Sequence, residues 1–518
     1  MHGLSEKEFK NEFVSNFNGD KTGNLRPRQT PGVLYSKAVP TPVSNPQLLA
    51  WSNELAKDLG ICEPGEKDVL ILGGNRVTPS MFPYAACYAG HQFGNWAGQL
   101  GDGRAITLGE WPTYNNDTWE LQLKGAGPTA YSRRADGRAV LRSSVREYLM
   151  SEAMHHLGVP TTRALSLVGT GDKVLRDMFY SGNAQYEPGA IVMRAAPTLL
   201  RFGNFEMLAS RNELGDLRKL VEWTIKRYYP HISGDDKIEV WFKEVVERTA
   251  KLMVEWMRVG FVHGVMNTDN MSVLGLTIDY GPYSFVDDYD LNFTPNTTDL
   301  PGRRYAFGKQ PAVGKWNLGC LGGALAPLLP DAESLIAALD EYDSIYWKEY
   351  YNMMANKLGL GQIQEADVAL ITELEITLSL LEPDMTIFFQ LLISLPEGIK
   401  DNEEVLTHFH ESFYEEPGEA PAAALFSFIQ KYNERLKKNS LDARERQQVM
   451  KKTSPRFILR NYLLHQAIEE LETGGNTLFR KLEEALKEPY SNQWDQLFVK
   501  RPDWANEKAG CSMLSCSS

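Results

Sequence analysis

The chain is organised around residues 263–290, which read HGVMNTDNMSVLGLTIDYGPYSFVDDYD. A helical pattern of apolar residues precedes this segment and ends at Gly260. Two acids and an amide, Asp269, Asn270 and Asp279, then stand on predicted loops beside short apolar runs. Carboxylate and amide oxygens on such loops suit Mg²⁺, which keeps several waters and bridges to phosphates. Asp and Asn also favour turns for local reasons, so the spacing alone leaves a magnesium site and a pair of turns equally open.

The segment resembles the active-site run of kinase-like phosphotransferases. In those enzymes a His-Arg-Asp or His-Gly-Asp loop precedes an Asn, and a later Asp-Phe-Gly binds magnesium. Here Val265 stands where they keep the catalytic Asp, and Asp269 directly precedes Asn270 instead. Residues 279–281 read Asp-Tyr-Gly in place of Asp-Phe-Gly.

A closer resemblance covers nearly the whole chain, roughly residues 30–518. HGVMNTDNMS (263–272) and IDYGP (278–282) are similar to the signature of the SelO/YdiU (selenoprotein O) family, protein adenylyltransferases with a pseudokinase-like fold. The resemblance implies an α+β, bilobal, protein-kinase-like fold with a β-rich N-lobe, one key helix and a larger helical C-lobe. The ranges expected on this basis are an extended lead-in (1–45), the N-lobe (46–195), the C-lobe (196–492) and a tail (493–518).

Composition bounds the class of protein. The chain has 518 residues, 43% hydrophobic and 23% charged, as in an ordinary soluble globular protein. Its formal charge of −13 argues against a nucleic-acid-binding surface, which needs a basic face. We see no span of about 20 apolar residues and no secretory signal, so we expect no membrane partner. Five cysteines without CxxC pairs fit a reducing compartment. We expect a monomer in the cytoplasm rather than the mitochondrial matrix.

A glycine-rich run lies ahead of the first well-marked strand. Gly101-Asp102-Gly103-Arg104 precedes the strand-like residues 105–108. Glycine lets backbone amides approach a phosphate closely, but many ordinary loops are equally rich in it. Arg104 adds a cation beside this backbone, so we expect Gly101, Gly103 and Arg104 to contact the nucleotide.

A lysine and a glutamate are the next candidates. Residues 119–124 alternate apolar and polar, which predicts a half-buried strand ending at Lys124. The pattern over residues 138–157 predicts a helix with Glu147 on a partly apolar stripe. A carboxylate there needs a cation, and the strand lysine is the natural partner. A strand Lys paired with a helix Glu positions the phosphates in kinases.

Further anion-binding residues flank these elements. Asp136-Gly137 lies in a turn rich in arginine, which is either solvated or, as the resemblance implies, in contact with the nucleotide. Arg194 and Arg201 stand seven residues apart and could converge on one anion. The resemblance implies that they hold the terminal phosphates with Lys124, and that ATP sits reversed, with its γ-phosphate buried and its α-phosphate presented to the acceptor.

Two local patterns carry less functional weight. Asn45-Pro46 predicts the start of a short helix that runs through Leu59. Gly169-Thr170-Gly171-Asp172 predicts a hairpin turn between strands 163–169 and 172–178.

The resemblance implies protein AMPylation. Asp269 would accept the proton of a Ser, Thr or Tyr hydroxyl, which attacks the α-phosphorus of ATP and releases pyrophosphate. Asn270 and Asp279 would hold Mg²⁺ or Mn²⁺, and Asp279 would also contact the nucleotide. UMP transfer from UTP is a further option. Two alternatives stay open, a kinase that transfers the γ-phosphate and a non-catalytic ATP-binding scaffold.

A cysteine near the end of the sequence completes the set. In SelO-like proteins the third-from-last position holds a selenocysteine or cysteine implicated in redox control, and here it is Cys516. Some members pair it with a cysteine in the activation segment, where this chain has Pro295. Cys511 or a thiol of the substrate protein is the alternative partner.

Overall fold

The computed structural model describes residues 1–115, 117–178, 181–396, 398–399, 401–511 and 513–515. The fold is α+β, as predicted: strands dominate up to residue 196 and helices dominate after it. The strands are β1 (Gly19–Asp20), β2 (Tyr35–Lys37), β3 (Gln47–Trp51), β4 (Tyr84–Ala86), β5 (Ala89–Gln92), β6 (Asn95–Gln99), β7 (Ala105–Pro112), β8 (Thr118–Lys124), β9 (Ala139–Val140), β10 (Arg163–Arg176), β11 (Gln185–Ala196), β12 (Phe261–Val262) and β13 (Ser284–Phe285).

One large sheet forms the scaffold of the β-rich part. Within the described residues its strand order is β1-β2-β4-β7-β8-β11-β10-β3, and β9 pairs with β11. The β1–β2 pair is parallel and the other pairs are antiparallel. The strands β5 and β6 form a separate hairpin, and β12 pairs with β13. Because β8 lies between β7 and β11, its end at Lys124 stands in the middle of the sheet.

Four helices belong to the β-rich part and twelve follow it within the described ranges. The first four are α1 (Glu12–Asn16), α2 (Asn53–Leu59), α3 (Glu66–Leu72) and α4 (Leu141–His156). The others are α5 (Phe202–Ser210), α6 (Leu214–Tyr228), α7 (Lys237–Val259), α8 (Gln310–Leu325), α9 (Glu333–Lys357), α10 (Glu365–Leu381), α11 (Met385–Ile393), α12 (Asn402–Phe409), α13 (Glu419–Leu436), α14 (Ala443–Thr453), α15 (Asn461–Glu472) and α16 (Thr477–Leu486).

Helix α7 delivers the central segment to its place. Its apolar stripe buries Trp241 and Trp256 completely or nearly so, which fixes the helix in the core. The helix ends at Gly260, whose φ of 75° is a left-handed conformation that glycine adopts at low cost. The backbone then forms β12 and, further along the chain, a short 3₁₀ turn (Thr268–Asn270). This turn carries Asp269 and Asn270. One buried apolar cluster connects this region to the sheet.

Two predicted elements are wrong in detail. Residues 47–51 are strand β3, and α2 starts only after Ser52, whose hydroxyl accepts a hydrogen bond from the Leu55 N–H. Residues 163–176 form one strand, β10, instead of a hairpin. The turn-like residues are absorbed as a register shift between Gly169 and Lys173, because β11 pairs with β10 on both sides of it.

The first 45 residues are more ordered than an extended lead-in. They contain α1 and the strands β1 and β2, and the Phe9, Phe13 and Phe17 side chains are buried. The Lys10 N–H donates to the Glu110 carbonyl oxygen at 2.8 Å, which ties this segment to β7. Among the described residues, no helix is both long and apolar enough to cross a membrane.

Candidate active site

A cavity of about 650 Å³ lies between the sheet and the loops that follow α7. It brings together residues that are far apart in sequence. Its walls include Gly101, Gly103, Arg104, Lys124, Gly137, Arg194, Arg201, Val265, Asp269, Asn270 and Asp279.

The lysine at the end of β8 pairs with the glutamate of α4. Lys124 Nζ lies 2.5 Å from Glu147 Oε2, and both side chains are largely buried. Burial lowers the pKa of Lys124, whereas the Glu147 carboxylate opposes that change. Glu147 is placed by the buried stripe of α4, in which Val145, Tyr148 and Leu149 are core residues. The pair therefore fixes a cation at the cavity wall.

A second cation shares the same glutamate. Arg194 on β11 lies next to β8 in the sheet, and its Nη1 is 3.2 Å from Glu147 Oε1. The same guanidinium pairs with Asp279 and donates a hydrogen bond to Gln122 Oε1. Burial disfavours the charged guanidinium, but Asp279 and Glu147 outweigh that effect and raise the pKa of Arg194. Arg194 is therefore held positive although only 3% of its side chain is exposed.

The third cation belongs to the residue that caps α5. Arg201 Nη1 donates to the Asp269 backbone carbonyl oxygen at 2.6 Å and also pairs with Asp279. Its Nη2 lies 3.8 Å from Asp102 Oδ1, and the guanidinium covers the Tyr88 ring at 4.6 Å. Arg201 thus contacts both the sheet side and the loop side of the cavity.

Asp279 stands at the centre of this cation cluster. One carboxylate oxygen faces Arg194 and Lys124, the latter at 3.8 Å, and the other faces Arg201. Burial alone would raise the pKa of Asp279, but the three cations hold it well below its usual value. Its φ is +59°, a backbone conformation that Asp and Asn tolerate better than most residues. The Asp279 carboxylate is therefore ionised, and the backbone conformation of the residue sets the direction of its side chain.

Asp269 has a different environment from Asp279. Its Oδ2 accepts a hydrogen bond from Gln92 Nε2 at 3.3 Å. Its Oδ1 is buried and has no hydrogen-bond partner among the described residues. Burial raises the pKa of Asp269 to about 6, and Arg201 opposes that rise. The cations thus keep Asp279 ionised, whereas burial raises the pKa of Asp269 to about 6, a separation that suits the two carboxylates to different chemical roles.

The chain matches known proteins over nearly its whole length. A family model described as "Protein adenylyltransferase SelO" matches residues 26–487. The chain is 60% identical over 518 residues to "Protein nucleotidyltransferase YdiU" of Cytophaga hutchinsonii, covering all of both chains. The chain belongs to the SelO family. Proteins of the same printed name in Azoarcus sp. (strain BH72) and Xanthomonas campestris pv. campestris (strain B100) are 52% and 50% identical. The alignments cover 98% and 99% of this chain and 99% and 100% of those proteins. The predicted family membership is confirmed.

The glycine-rich segment of this SelO-family chain lines the cavity. Gly101 has a φ of +134°, and a Cβ at Gly103 would lie 3.0 Å from the Tyr131 carbonyl oxygen. Between them Asp102 is buried, and its Oδ2 accepts from the Gln122 side chain at 3.1 Å. Neither Asp102 nor Gln122 was singled out from the sequence as a site residue. The available signal for Gln122 was its place on the same face of the predicted strand as Lys124.

The turn that contains Asp136 and Gly137 is only partly in the cavity. Gly137 lines it with a φ of +69°, and a Cβ there would lie 2.1 Å from the Gly127 carbonyl oxygen. Asp136 pairs with Arg176, with Nη2 and Oδ1 2.7 Å apart. Arg176 itself lines the cavity, so Asp136 is connected to the cavity wall through that arginine.

The β5–β6 hairpin packs directly on the 3₁₀ turn of the SelO-family segment, a contact that the sequence did not predict. The His91 N–H donates to Thr268 Oγ1 at 2.7 Å, and the Phe93 N–H donates to Asn267 Oδ1 at 3.1 Å. A Cβ at Gly90 would lie 2.9 Å from Thr268 Oγ1, so glycine permits the close approach. The hairpin therefore covers the turn and supplies Gln92 to Asp269.

His263, the first residue of the signature, is structural. Its Nε2 is 2.8 Å from the Ile278 carbonyl oxygen, and its ring stacks on Trp256 with centroids 5.4 Å apart. Burial lowers the pKa of His263, so the ring is neutral at pH 7. The residue links the start of the segment to the residue before Asp279.

The end of the chain runs beside the segment that follows Asp279. The Leu514 N–H donates to the Pro295 carbonyl oxygen at 3.1 Å, and the Thr297 N–H donates to the Leu514 carbonyl oxygen at 2.8 Å. Cys511 is buried, and its carbonyl oxygen accepts from Asn461 Nδ2 at 3.0 Å. Cys516 lies outside the described residues.

Proposed function

We propose that this chain transfers AMP from ATP to hydroxyl groups of protein side chains and releases pyrophosphate. Nucleotidyl transfer is the activity that the printed names of the family and its relatives state. The observation that carries the proposal is the convergence of Lys124, Arg194 and Arg201 on one carboxylate, Asp279, inside the cavity. Cations that bind a carboxylate in this way are also suited to the phosphate oxygens of a leaving pyrophosphate.

The proposed orientation of ATP follows from burial. Arg194 and Arg201 each have only 3% of their side chain exposed, so phosphates that reach them must be the most deeply inserted. If these are the β- and γ-phosphates, the α-phosphate remains nearer the opening and can meet an acceptor. In this arrangement, the bond that breaks joins the α-phosphorus to the oxygen that leaves with pyrophosphate.

We assign Asp269 as the proton acceptor. The acceptor hydroxyl of Ser, Thr or Tyr loses its proton to a carboxylate oxygen as it attacks the α-phosphorus. The unpartnered Oδ1 of Asp269 supports this role, because a buried carboxylate oxygen without a donor is ready to accept one. The Arg201 bond to the Asp269 carbonyl oxygen keeps the base in register with the phosphate site.

Asn270 and Asp279 fit a hard divalent cation, Mg²⁺ or Mn²⁺. Asn270 Nδ2 donates to the Val265 carbonyl oxygen at 2.9 Å, which leaves the amide oxygen as the group available for a metal. Both residues line the cavity. When bound, the metal supplies positive charge to the phosphate oxygens. The Asp279 contacts with the arginines must then be exchanged in part for phosphate contacts.

The proposal includes a kinase-like division of the chain, with an N-lobe over residues 46–195, a C-lobe over 196–492 and a tail over 493–518. The ion pair between a strand lysine and a helix glutamate supports it, since kinases use the same pair to position phosphates. We further propose that the protein acts as a monomer in the cytoplasm and that UTP can replace ATP.

The direct test is a pair of labelling assays with Mg²⁺ and a hydroxyl-rich acceptor protein such as casein. One assay uses ATP labelled at the α-phosphate and the other uses ATP labelled at the γ-phosphate. We expect protein label from α alone, and protein label from UTP labelled at its α-phosphate would extend the reaction to UMP. Label from γ would make the protein a kinase. Label from neither, with ATP still bound, would favour the scaffold alternative.

We also propose that Cys516 adjusts the activity through its redox state. The backbone contacts of Leu514 with residues 295–297 support this, because they hold the tail beside the loop that follows Asp279. Cys516→Ser should abolish any difference in labelling between reduced and oxidised protein, whereas Cys62→Ser should preserve it. An unchanged redox response in Cys516→Ser would contradict the assignment.

A further inference from the structure

A second cluster of ligand-type side chains lies outside the phosphate cavity. His91 on β5, Glu206 on α5 and Cys320 on α8 each present one ligand atom, and these three atoms lie within 4.8 Å of one another. None of these three residues is among the described residues that line the phosphate cavity. The cluster is therefore separate from Asn270 and Asp279.

One member of the cluster lacks a full set of partners. Glu206 is only 4% exposed, and its Oε1 is 2.7 Å from His91 Nδ1. Its other carboxylate oxygen, Oε2, is buried and has no hydrogen bond of full geometry within the described part of the chain. Burial raises the pKa of Glu206, and the nearby Thr268 hydroxyl and His91 offset that rise only in part. Leaving a carboxylate oxygen unsatisfied inside a protein is costly, so a cation at this position would compensate it.

The chemistry of the three ligands selects the metal. An imidazole nitrogen, a thiolate sulfur and a carboxylate oxygen together suit Zn²⁺, while Mg²⁺ prefers oxygen ligands alone. Tetrahedral bonds of about 2.0–2.3 Å require ligand atoms roughly 3.5 Å apart. The three ligand atoms lie within 4.8 Å of one another, and Cys320 is half-buried, so an ion can enter.

We propose that His91, Glu206 and Cys320 bind one Zn²⁺ ion, with a water molecule as the fourth ligand. The Cys320 thiol loses its proton to solvent as the sulfur–zinc bond forms, and the His91 imidazole binds in its neutral form. Burial and the Glu206 carboxylate raise the pKa of the Cys320 thiol to about 12, and Arg304 opposes that rise, so the thiolate forms only together with the sulfur–zinc bond. No electrons are transferred in this step.

The position of the cluster gives the ion a structural task. Its ligands come from the β5–β6 hairpin, from α5 and from α8, three elements that are distant in sequence. Because the His91 N–H also donates to Thr268 Oγ1, an ion bound here would fasten the hairpin over the turn that carries Asp269. We therefore infer that Zn²⁺ orders the cover of the catalytic turn and leaves the phosphate site itself to Mg²⁺.

The test is a Zn²⁺ titration of the full chain against a chromophoric chelator, after removal of metals and in excess Mg²⁺ without nucleotide. We expect one tightly bound Zn²⁺ per chain. Cys320→Ala should weaken binding by at least about tenfold, because even the loss of a hydrogen-bond partner of a metal ligand costs about 10–100-fold. Cys62→Ala, which removes a half-buried thiol elsewhere, and Asp279→Asn, which alters the proposed magnesium site, should leave it unchanged.

A spectroscopic measurement on the unmodified chain guards against a misfolded variant. Co²⁺ in place of Zn²⁺ should give a thiolate-to-cobalt charge-transfer absorption that Cys320→Ala lacks. No Zn²⁺ binding in excess Mg²⁺, equal binding by Cys320→Ala, loss of binding in Asp279→Asn, or a cobalt spectrum without the sulfur band would each overturn the proposal. None of these readouts depends on nucleotidyl transfer, so this proposal and the proposed function fail independently.

Discussion

Arg201 Nη1 donates a hydrogen bond of 2.6 Å to the Asp269 carbonyl oxygen while the same guanidinium pairs with Asp279. A single side chain thus sets the distance between the proposed base and the anion site. Transfer requires a fixed distance between the group that accepts the hydroxyl proton and the phosphates. A rigid, planar guanidinium with several donors can hold that distance.

The Asp269→Asn variant should lose transfer and keep nucleotide binding. We expect kcat to fall by about 10²–10⁴, the usual contribution of a general base. In the unmodified enzyme the base must be ionised, and burial raises the pKa of Asp269 to about 6. Rates should therefore rise with pH through about 6 and then level off. The matched control is Asp290→Asn, in the same segment and outside the cavity wall. A pH-independent rate between pH 5 and 8 would exclude Asp269 as the base.

Removing the charge of Glu147 should destabilise the fold. Its side chain is 3% exposed and neutralises two buried cations, Lys124 and Arg194. Breaking such a pair costs about 3–5 kcal/mol, and Asp279 remains as a partial counter-charge, so we expect the lower end for Glu147→Gln. Glu247→Gln is the control, because Glu247 is 46% exposed and pairs with Lys251 on the surface. That change should cost less than about 1 kcal/mol. Equal shifts in Tm for the two variants would contradict the buried pair.

A methyl group at Gly203 should displace the hairpin. A Cβ there would lie 2.1 Å from the Ala89 carbonyl oxygen, so β5 would have to move away from α5. We expect Gly203→Ala to lower kcat and to cost about 1–3 kcal/mol of stability. Gly215→Ala in α6 meets nothing within 4 Å and should stabilise slightly, because alanine favours helix. Urea unfolding and labelling rates measure both effects. Unchanged rates in Gly203→Ala would show that the hairpin does not position Asp269.

Asp279 should make the free energy of unfolding depend on pH in the acid range. The cations hold the pKa of Asp279 well below its unfolded value, so its contribution is present above about pH 4 and is lost as pH falls through the folded pKa. Asp279→Asn keeps a residue that tolerates the +59° φ and removes the charge. The difference in unfolding free energy between the two proteins should be constant above about pH 5 and should shrink below about pH 4. A difference that grows in acid would reverse the assignment.

The sequence predicted those features that depend on local pattern. The strand ending at Lys124, the helix with Glu147 and the termination of α7 at Gly260 all follow from periodicity and capping. The hairpin predicted from the turn-like residues 169–172 was wrong because cross-strand pairing with β11 overrides a local turn preference. The contact between His91 and Thr268 joins residues 177 apart, and neither position has a periodic signal. The cluster of His91, Glu206 and Cys320, spread over β5, α5 and α8, was not predicted for the same reason.

The cation cluster around Asp279 carries its own anions. Lys124, Arg194 and Arg201 face the carboxylates of Glu147, Asp279 and Asp102, three charges of each sign. Entry of a triphosphate is therefore an ion exchange and not the neutralisation of a bare positive surface. Outside this balanced cluster the cavity wall carries further cations, Arg104, Arg133, Arg134, Arg138 and Arg176, so a free nucleotide meets local positive charge although the net charge of the chain is −13. A divalent ion that travels with the nucleotide offsets part of its charge, and association should weaken as ionic strength rises.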